Sequence, residues 1–366
     1  MNQKKIVLIF AILSLLIIGI LPIANYIKNP KNTTIENMFN TDIFESYRNY
    51  FFFKILNRSL INYNVIVGQD DFLFLGNKHN YVISKTQNIY PNNPKGIENW
   101  VNNLARLQQW YEDKGIKFIM AIVPNKHTIY SDKLPDWVSI KKQNVTDEII
   151  KLSNSKSLNL LDLRKSLLAS KQTSNELLYL KTDSHWNALG ASIGYSEIIN
   201  YLNNRYQQKY QVPEYTFVLR NTGGKGLSRL LKSSDLIPSD FERQVLYRFN
   251  VNQEICQGGI EKETNELEAC QMSNSTAFNI HKGSQYSINQ HALNSDSVLF
   301  LCDSFSMQNS RLFNATFNTI WKFHYNLFLG DDLSNFVEKQ QPQIVIYQIV
   351  ERSLYNNYFI NKKLND

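Results

Sequence analysis

The stretch 297-SVLFLCDSFS-306 decides the fold. Ser297 to Leu301 read as a central strand buried on both faces, because an apolar run of this length leaves no side for water. The chain then turns through Cys302-Asp303-Ser304 into a helix expected near Arg311 to His324. Downstream, a helix from Leu333 to Gln340 and Pro342 precede a second apolar strand, 343-QIVIYQIV-350, which ends in Glu351-Arg352. Upstream, Ile97, Trp100, Val101, Leu104, Leu107 and Tyr111 recur at helical spacing. Gly115 ends that helix and the strand 117-KFIMAIVP-124 follows. A helix over Thr146 to Leu152, a strand 158-LNLLDL-163 and a helix from Asn187 to Tyr206 continue the alternation. The segment 65-VIVGQDDFLFLG-76 reads as a hairpin turning at Gly68 to Asp71. Apolar strands alternating with helices predict an α/β three-layer sandwich with a mainly parallel sheet.

Composition limits the rest. The 366 residues are 43% hydrophobic and 13% aromatic, ample for a packed core. Net charge is +7, from 39 Lys and Arg against 32 Asp and Glu, with no dense basic tract, which argues against a nucleic-acid partner. After MNQKK, Ile6 to Ala24 gives 19 residues without a charge. At ~1.5 Å per helical residue this spans about 28 Å, close to the hydrocarbon thickness of a bilayer. Lysines ahead of the run and none within it predict a single-pass inner-membrane anchor over residues 1–28. The body, 29–366, is then expected in the periplasm or outside the cell; a cleaved signal peptide is the alternative. Within that body, about 207–295 is rich in Asn, Ser and Gln and reads as a polar insertion or cap. Cys256 and Cys270 flank a short polar loop there and are expected to pair in an oxidising compartment. Cys302, inside an apolar run, is expected to be a buried free thiol, and no C-x-x-C spacing suggests zinc.

Chemistry concentrates in two places. In 182-TDSHWNALGASIGY-195, Asp183 and His185 lie on one side of an extended segment, because alternate residues face the same way. That spacing suits an aspartate orienting an imidazole, two ligands of a metal, or a capped helix start. Ser304 sits on the strand-to-helix turn, where backbone N–H groups point at whatever its hydroxyl attacks. A serine hydroxyl needs a base within reach, and His185 with Asp183 can supply one. Asp-Ser at such a turn also serves as a plain helix cap. Trp186 reads as packing, and His79, His127, His281, His291 and His324 as surface or packing residues. Lys126, Arg311, Glu351 and Arg352 are weaker candidates; the lysine and arginines could contact an anionic glycan, and surface or ion-pair roles would explain them equally.

Together these segments resemble the SGNH-hydrolase-like (DHHW-like) domain of the alginate O-acetylation proteins. The resemblance runs from about 65 to 354. It rests on VGQDDFLFLG, VPNKHTIYSDKLP, YLKTDSHWNALGA, FLCDSFS and VIYQIVERSL, in that order. Aspartate and histidine come before the serine, as in this circularly permuted family. The resemblance implies a triad of Asp183, His185 and Ser304. Cys302 stands where the family often has glycine, and Gly226-Leu227-Ser228 where it commonly has D-L-S. With little sequence after Arg352, the C-terminal carbohydrate-binding module of some relatives is expected to be lacking.

What the resemblance implies is an O-acetyltransferase acting on a cell-surface or secreted polysaccharide through an acetyl-serine. No metal or bound cofactor is implied; a membrane-bound O-acyltransferase partner would deliver the acetyl group. Two other readings compete. The same triad with water as acceptor gives a polysaccharide deacetylase or esterase, and an idle triad gives a glycan-binding assembly subunit.

Overall fold

The computed structural model describes residues 3–28, 30–31, 34–91, 93–141, 143–249, 255–261, 264–273, 284–326 and 331–354. Its strands, in chain order, begin with β1 Val65–Val67 and β2 Leu73–Leu75, the expected hairpin around a 3-10 turn at Gln69–Asp71. β3 Lys117–Val123 and β4 Leu160–Asp162 follow, then a separate antiparallel pair, β5 Tyr215–Thr222 and β6 Glu242–Phe249. β7 Ile255–Gly259, β8 Gln271–Ser273, β9 Ser284–Ile288, β10 Asn294–Cys302, β11 Phe317–His324 and β12 Ile344–Val350 complete the set.

Eight of these form one sheet in the order β4-β3-β12-β10-β11-β9-β7-β8. β10 lies inside it, parallel to β11 and to β12, with Cys302 opposite His324 on one side and Gln348 on the other. Its side chains divide between two cores by the period-two rule. Val298, Phe300 and Cys302 face one way, Leu299 and Leu301 the other, all fully buried. On the first face pack the helices Ala188–Tyr206 and Ser306–Thr316, through Tyr195, Ile198, Leu312 and Phe313. On the second pack Pro94–Asp113, Val145–Ser155 and Asp331–Gln340, through Trp100, Leu104, Ile149 and Phe336. Each large apolar side chain so withdrawn from water contributes about 2 kcal/mol.

Two expectations are corrected. The helix after Ser304 spans Ser306–Thr316, and the segment expected to extend it to His324 is instead strand β11. FNTIWKFH is aromatic and β-branched, a composition that suits a pleated surface between two neighbours, and β10 and β9 provide them. The sheet is also mixed rather than mainly parallel. β9, β7 and β8 join it antiparallel beyond β11, and they come from the polar region expected to cap the fold.

Cys256, on β7, is bonded to Cys270 beside β8, with Cα atoms 5.3 Å apart, while Cys302 is a buried free thiol. The expected span Ile6–Ala24 falls within a helix, Gln3–Lys28, many of whose side chains lie outside the described residues. Among the described residues no helix is long and apolar enough to cross a membrane. His281 also lies outside them.

Candidate active site

Ser304 follows the last residue of β10 by two positions. Asp303, between them, is buried, and its carboxylate is fully used: Oδ1 accepts from the Phe305 N–H and Oδ2 from the Val350 N–H, both at 2.9 Å. These two bonds pin the turn to the end of β12. Burial raises the Asp303 carboxyl above its ordinary range, and the two N–H groups and the Arg352 charge work against that. The Asp303 carbonyl accepts from the Ser306 N–H and hydroxyl, which starts the helix.

His185 arrives from the segment before the helix Ala188–Tyr206. Asn187 caps that helix, accepting from Leu189 and Gly190 N–H at 2.9 and 3.2 Å. Gly194 lets the helix sit directly on Trp186, whose ring would lie 2.8 Å from any Cβ there. Trp186 is buried and its indole N–H donates to the Phe305 carbonyl at 2.8 Å. The expected packing residue therefore ties the histidine segment to the serine turn.

With both segments fixed, His185 Nδ1 is 2.8 Å from Asp183 Oδ1 and Nε2 is 2.7 Å from Ser304 Oγ. With its proton on Nδ1, held by the carboxylate, the ring accepts the serine proton at Nε2. The imidazole and the carboxylate are 25% and 22% exposed, open to a substrate on one side. Burial acts to raise the Asp183 carboxyl, but the hydrogen bonds and charge of His185 and the Gly226 N–H prevail and hold it at about 2. Gly226 donates to Asp183 Oδ2 at 3.4 Å. A backbone N–H thus reaches the carboxylate from the position where the family commonly has the aspartate of D-L-S. The metal-pair reading of Asp183 and His185 gains nothing, since among the described residues no group of three or more His, Cys, Asp or Glu is placed to hold an ion.

Of the weaker candidates, Lys126 is corrected. It is 2% exposed, and its ammonium donates to the carbonyls of Leu73, Leu180, Lys181 and Asp183 at 2.6 to 3.0 Å. Four acceptors occupy its three N–H bonds, so it holds the Asp183 segment rather than facing a glycan. Burial pushes its pKa down to about 7 against the charges of Glu242 and Asp183. Arg311 is half-buried over the Phe249 ring at 4.6 Å. Arg352 lies over the Phe305 ring at 5.5 Å, donates to Asn125 Oδ1 at 3.3 Å, and lines a cavity with Lys85, Asn125 and Asn144. Glu351 is buried, accepting from Thr128 Oγ1 at 2.6 Å and Asn125 N–H at 2.9 Å, a structural partner.

Sequence reasoning missed Glu242. Its carboxylate accepts from the N–H groups of Lys181 and Thr182 and from the Thr182 hydroxyl, immediately before Asp183. Nothing in the sequence marks it, because it sits in a polar stretch some sixty residues downstream.

A mixed α/β sandwich with its reactive-looking serine on a turn at a strand end is the architecture of the SGNH-hydrolase-like proteins. More particularly, residues 65–238 match the family model described as "SGNH hydrolase-like domain, acetyltransferase AlgX". The match includes Asp183 and His185 and stops before Ser304. Among solved structures, the chain is similar to Bacillus cereus PatB1 with a sulfonyl adduct (17% identity, TM-score 0.58, 82% of this chain and 100% of that one). It is also similar to a DHHW family protein from Eubacterium siraeum (15% identity, TM-score 0.51, 73% of this chain and 90% of that one). At these identities the likeness speaks for the fold alone. No curated protein matches the sequence significantly.

Proposed function

We propose that this chain is an extracytoplasmic O-acetyltransferase that esterifies hydroxyl groups of a polysaccharide, with Ser304 as acyl carrier, His185 as base and Asp183 as its orienting carboxylate. The observation that carries the reading is the pair of distances at His185, 2.8 Å to Asp183 and 2.7 Å to Ser304. The family's description as an acetyltransferase domain supports acetyl as the group transferred.

The step balances without oxidant or metal. Ser304 Oγ attacks the acetyl carbonyl of an ester or thioester donor while His185 Nε2 takes its proton. The tetrahedral oxyanion collapses, the donor's carbonyl–heteroatom bond breaks, and the leaving group departs with the proton from His185. A sugar hydroxyl then gives its proton to His185, attacks the acetyl-serine and leaves as the acetate ester, and Ser304 is restored. The Ser304 N–H contributes to the oxyanion hole, where one well-placed donor contributes about 3 kcal/mol. Arg352, beside Phe305, is the side chain on the glycan side. No bound cofactor enters; a membrane-bound O-acyltransferase partner supplies the acetyl group.

The helix Gln3–Lys28 anchors the domain in the membrane with the body outside. The uncharged run Ile6–Ala24 and the lysines before it support this, as do Leu8, Ile12, Ile23 and Ile27, exposed on that helix. Residues 29–366 then form one catalytic body, with part of about 207–295 as its cap.

The test of transfer is discharge. The protein, acetylated with a small activated acetyl ester, is mixed with a panel of bacterial glycans, and loss of the acetyl-serine is timed. Faster discharge with one glycan, with acetate appearing on that glycan, supports the transferase. Equal rates with and without every glycan overturn it in favour of an esterase.

A further inference from the structure

The helix Asp42–Leu56 is apolar on two opposite faces. Asn49 and Phe53, one turn apart, face the body: Asn49 Nδ2 donates to the Leu231 carbonyl at 2.9 Å, and Phe53 packs on Phe241 with ring centroids 6.4 Å apart. At about 100° per residue, Phe44, Tyr47, Phe51 and Ile55 fall along the other face. They are 45%, 61%, 50% and 67% exposed. The stripe is about 16 Å long at the helical rise. Asp42 and Glu45 reach Lys232 at 3.8 and 2.7 Å. Arg48, 54% exposed, lies beside the stripe and 3.8 Å from Glu45, and Arg58, just past the helix, is also exposed.

The stripe is physically continuous with the apolar N-terminal helix Gln3–Lys28. Asn25 Nδ2 donates to the carbonyls of Met38 and Asn40, both at 2.8 Å, so the end of that helix is tied to the start of this one. Lys28 lies 3.7 Å from Asp235, which places the same end against the body. Ile35 and Phe39, between the two helices, are 79% and 53% exposed. Aromatic rings concentrated where an apolar helix meets a polar body, with arginine beside them, have the composition of a membrane–water interface.

We infer that the helix Asp42–Leu56 lies on the membrane surface, with Phe44, Tyr47, Phe51 and Ile55 among lipid headgroups, and holds the domain with one fixed side toward the bilayer. The inference rests on the anchor reading above. It goes beyond it because an anchor alone leaves the domain free to swivel.

The full chain is reconstituted in vesicles of phosphatidylethanolamine and phosphatidylglycerol, with Phe51→benzoylphenylalanine as photo-cross-linker and Arg106→benzoylphenylalanine as control on a distant helix. Lipid adducts at position 51 and none at position 106 are expected. Adducts at 51 to a second copy or to another part of the chain, or no lipid adduct, overturn the surface helix. Alkaline carbonate extraction of the same vesicles tests the anchor separately. A chain that resists extraction yet gives no lipid adduct fails this inference alone. A chain that is extracted but gives the adduct fails the anchor alone, and one that is extracted without an adduct fails both.

Discussion

Asp183 connects the chemistry to measurable pH behaviour. Its carboxyl is held at about 2 in the fold against an ordinary 3.8. A carboxylate depressed by folding contributes stability that is complete above its unfolded pKa and is lost as pH falls through the folded one. Wild type should therefore exceed Asp183→Asn in stability by about 2 kcal/mol more at pH 6 than at pH 2, read by chemical denaturation at each pH. A gap that does not narrow across that window would show that the His185 contact is not made in solution. The same substitution should cut acetyl-serine formation steeply, since the amide favours the wrong imidazole tautomer; in the serine-protease template the corresponding loss is about 10⁴. Lys126 makes a second residue-scale prediction. Lys126→Met takes the ammonium from four carbonyls, of which that of Lys181 keeps the Leu73 N–H and that of Leu180 the Asp183 N–H. The Leu73 and Asp183 carbonyls lose it outright, each worth about 1–3 kcal/mol when unsatisfied, so the protein should unfold a few kcal/mol earlier, and Lys126→Arg should not restore it. A variant with unchanged stability would return Lys126 to the role of a glycan contact. Alternation marked Asp183 with His185 and the strand-to-helix turn marked Ser304, because both are local signals; that the two segments meet across 119 residues was implied only by the family resemblance. The sequence placed Lys126 wrongly because the four carbonyls that hold it come from two segments 50 or more residues away, and backbone acceptors leave no mark in side-chain patterns.

At the scale of elements, the strands that carry the site were legible and the sheet's far edge was not. KFIMAIV and IVIYQIV are continuous apolar runs, and continuous burial is what a parallel interior strand requires. FNTIWKFH follows a helix without Gly or Pro, so helical periodicity appears to run on; only pairing with β10 and β9 turns it into a strand. Hydrogen exchange should show it. Amides of Phe317–His324 should exchange as slowly as those of Val298–Cys302, whereas a helix ending at His324 would leave them progressively faster toward that end. Glu242 belongs to this scale as well, since it fastens the start of β6 to the segment before Asp183. Glu242→Ala should lower activity through a mobile Asp183 and cost more than about 4 kcal/mol, given three charge-assisted bonds of about 1.5–3 kcal/mol each. Unchanged activity would mean that Lys126 alone suffices to hold the segment.

For the whole molecule, the sequence conveyed the alternation and the order of the motifs, both of which are linear features. The Cys256–Cys270 bond was legible from its short polar loop, but the mixed pairing through β9, β7 and β8 at that edge depends on contacts between distant polar segments and had no such trace. The proposed placement outside the cytoplasm predicts that a reporter active only in the cytoplasm, fused after Asp366, stays silent; activity would reverse that topology and with it the proposed acetyl-delivering partner. The central claim is the acyl-serine, and mass spectrometry tests it most directly. After incubation of the full chain with a small activated acetyl ester, the peptide containing FLCDSFS should carry one acetyl group on Ser304, and His185→Ala should lose most of it. Equal acetylation of that peptide in Ser304→Ala would contradict the account.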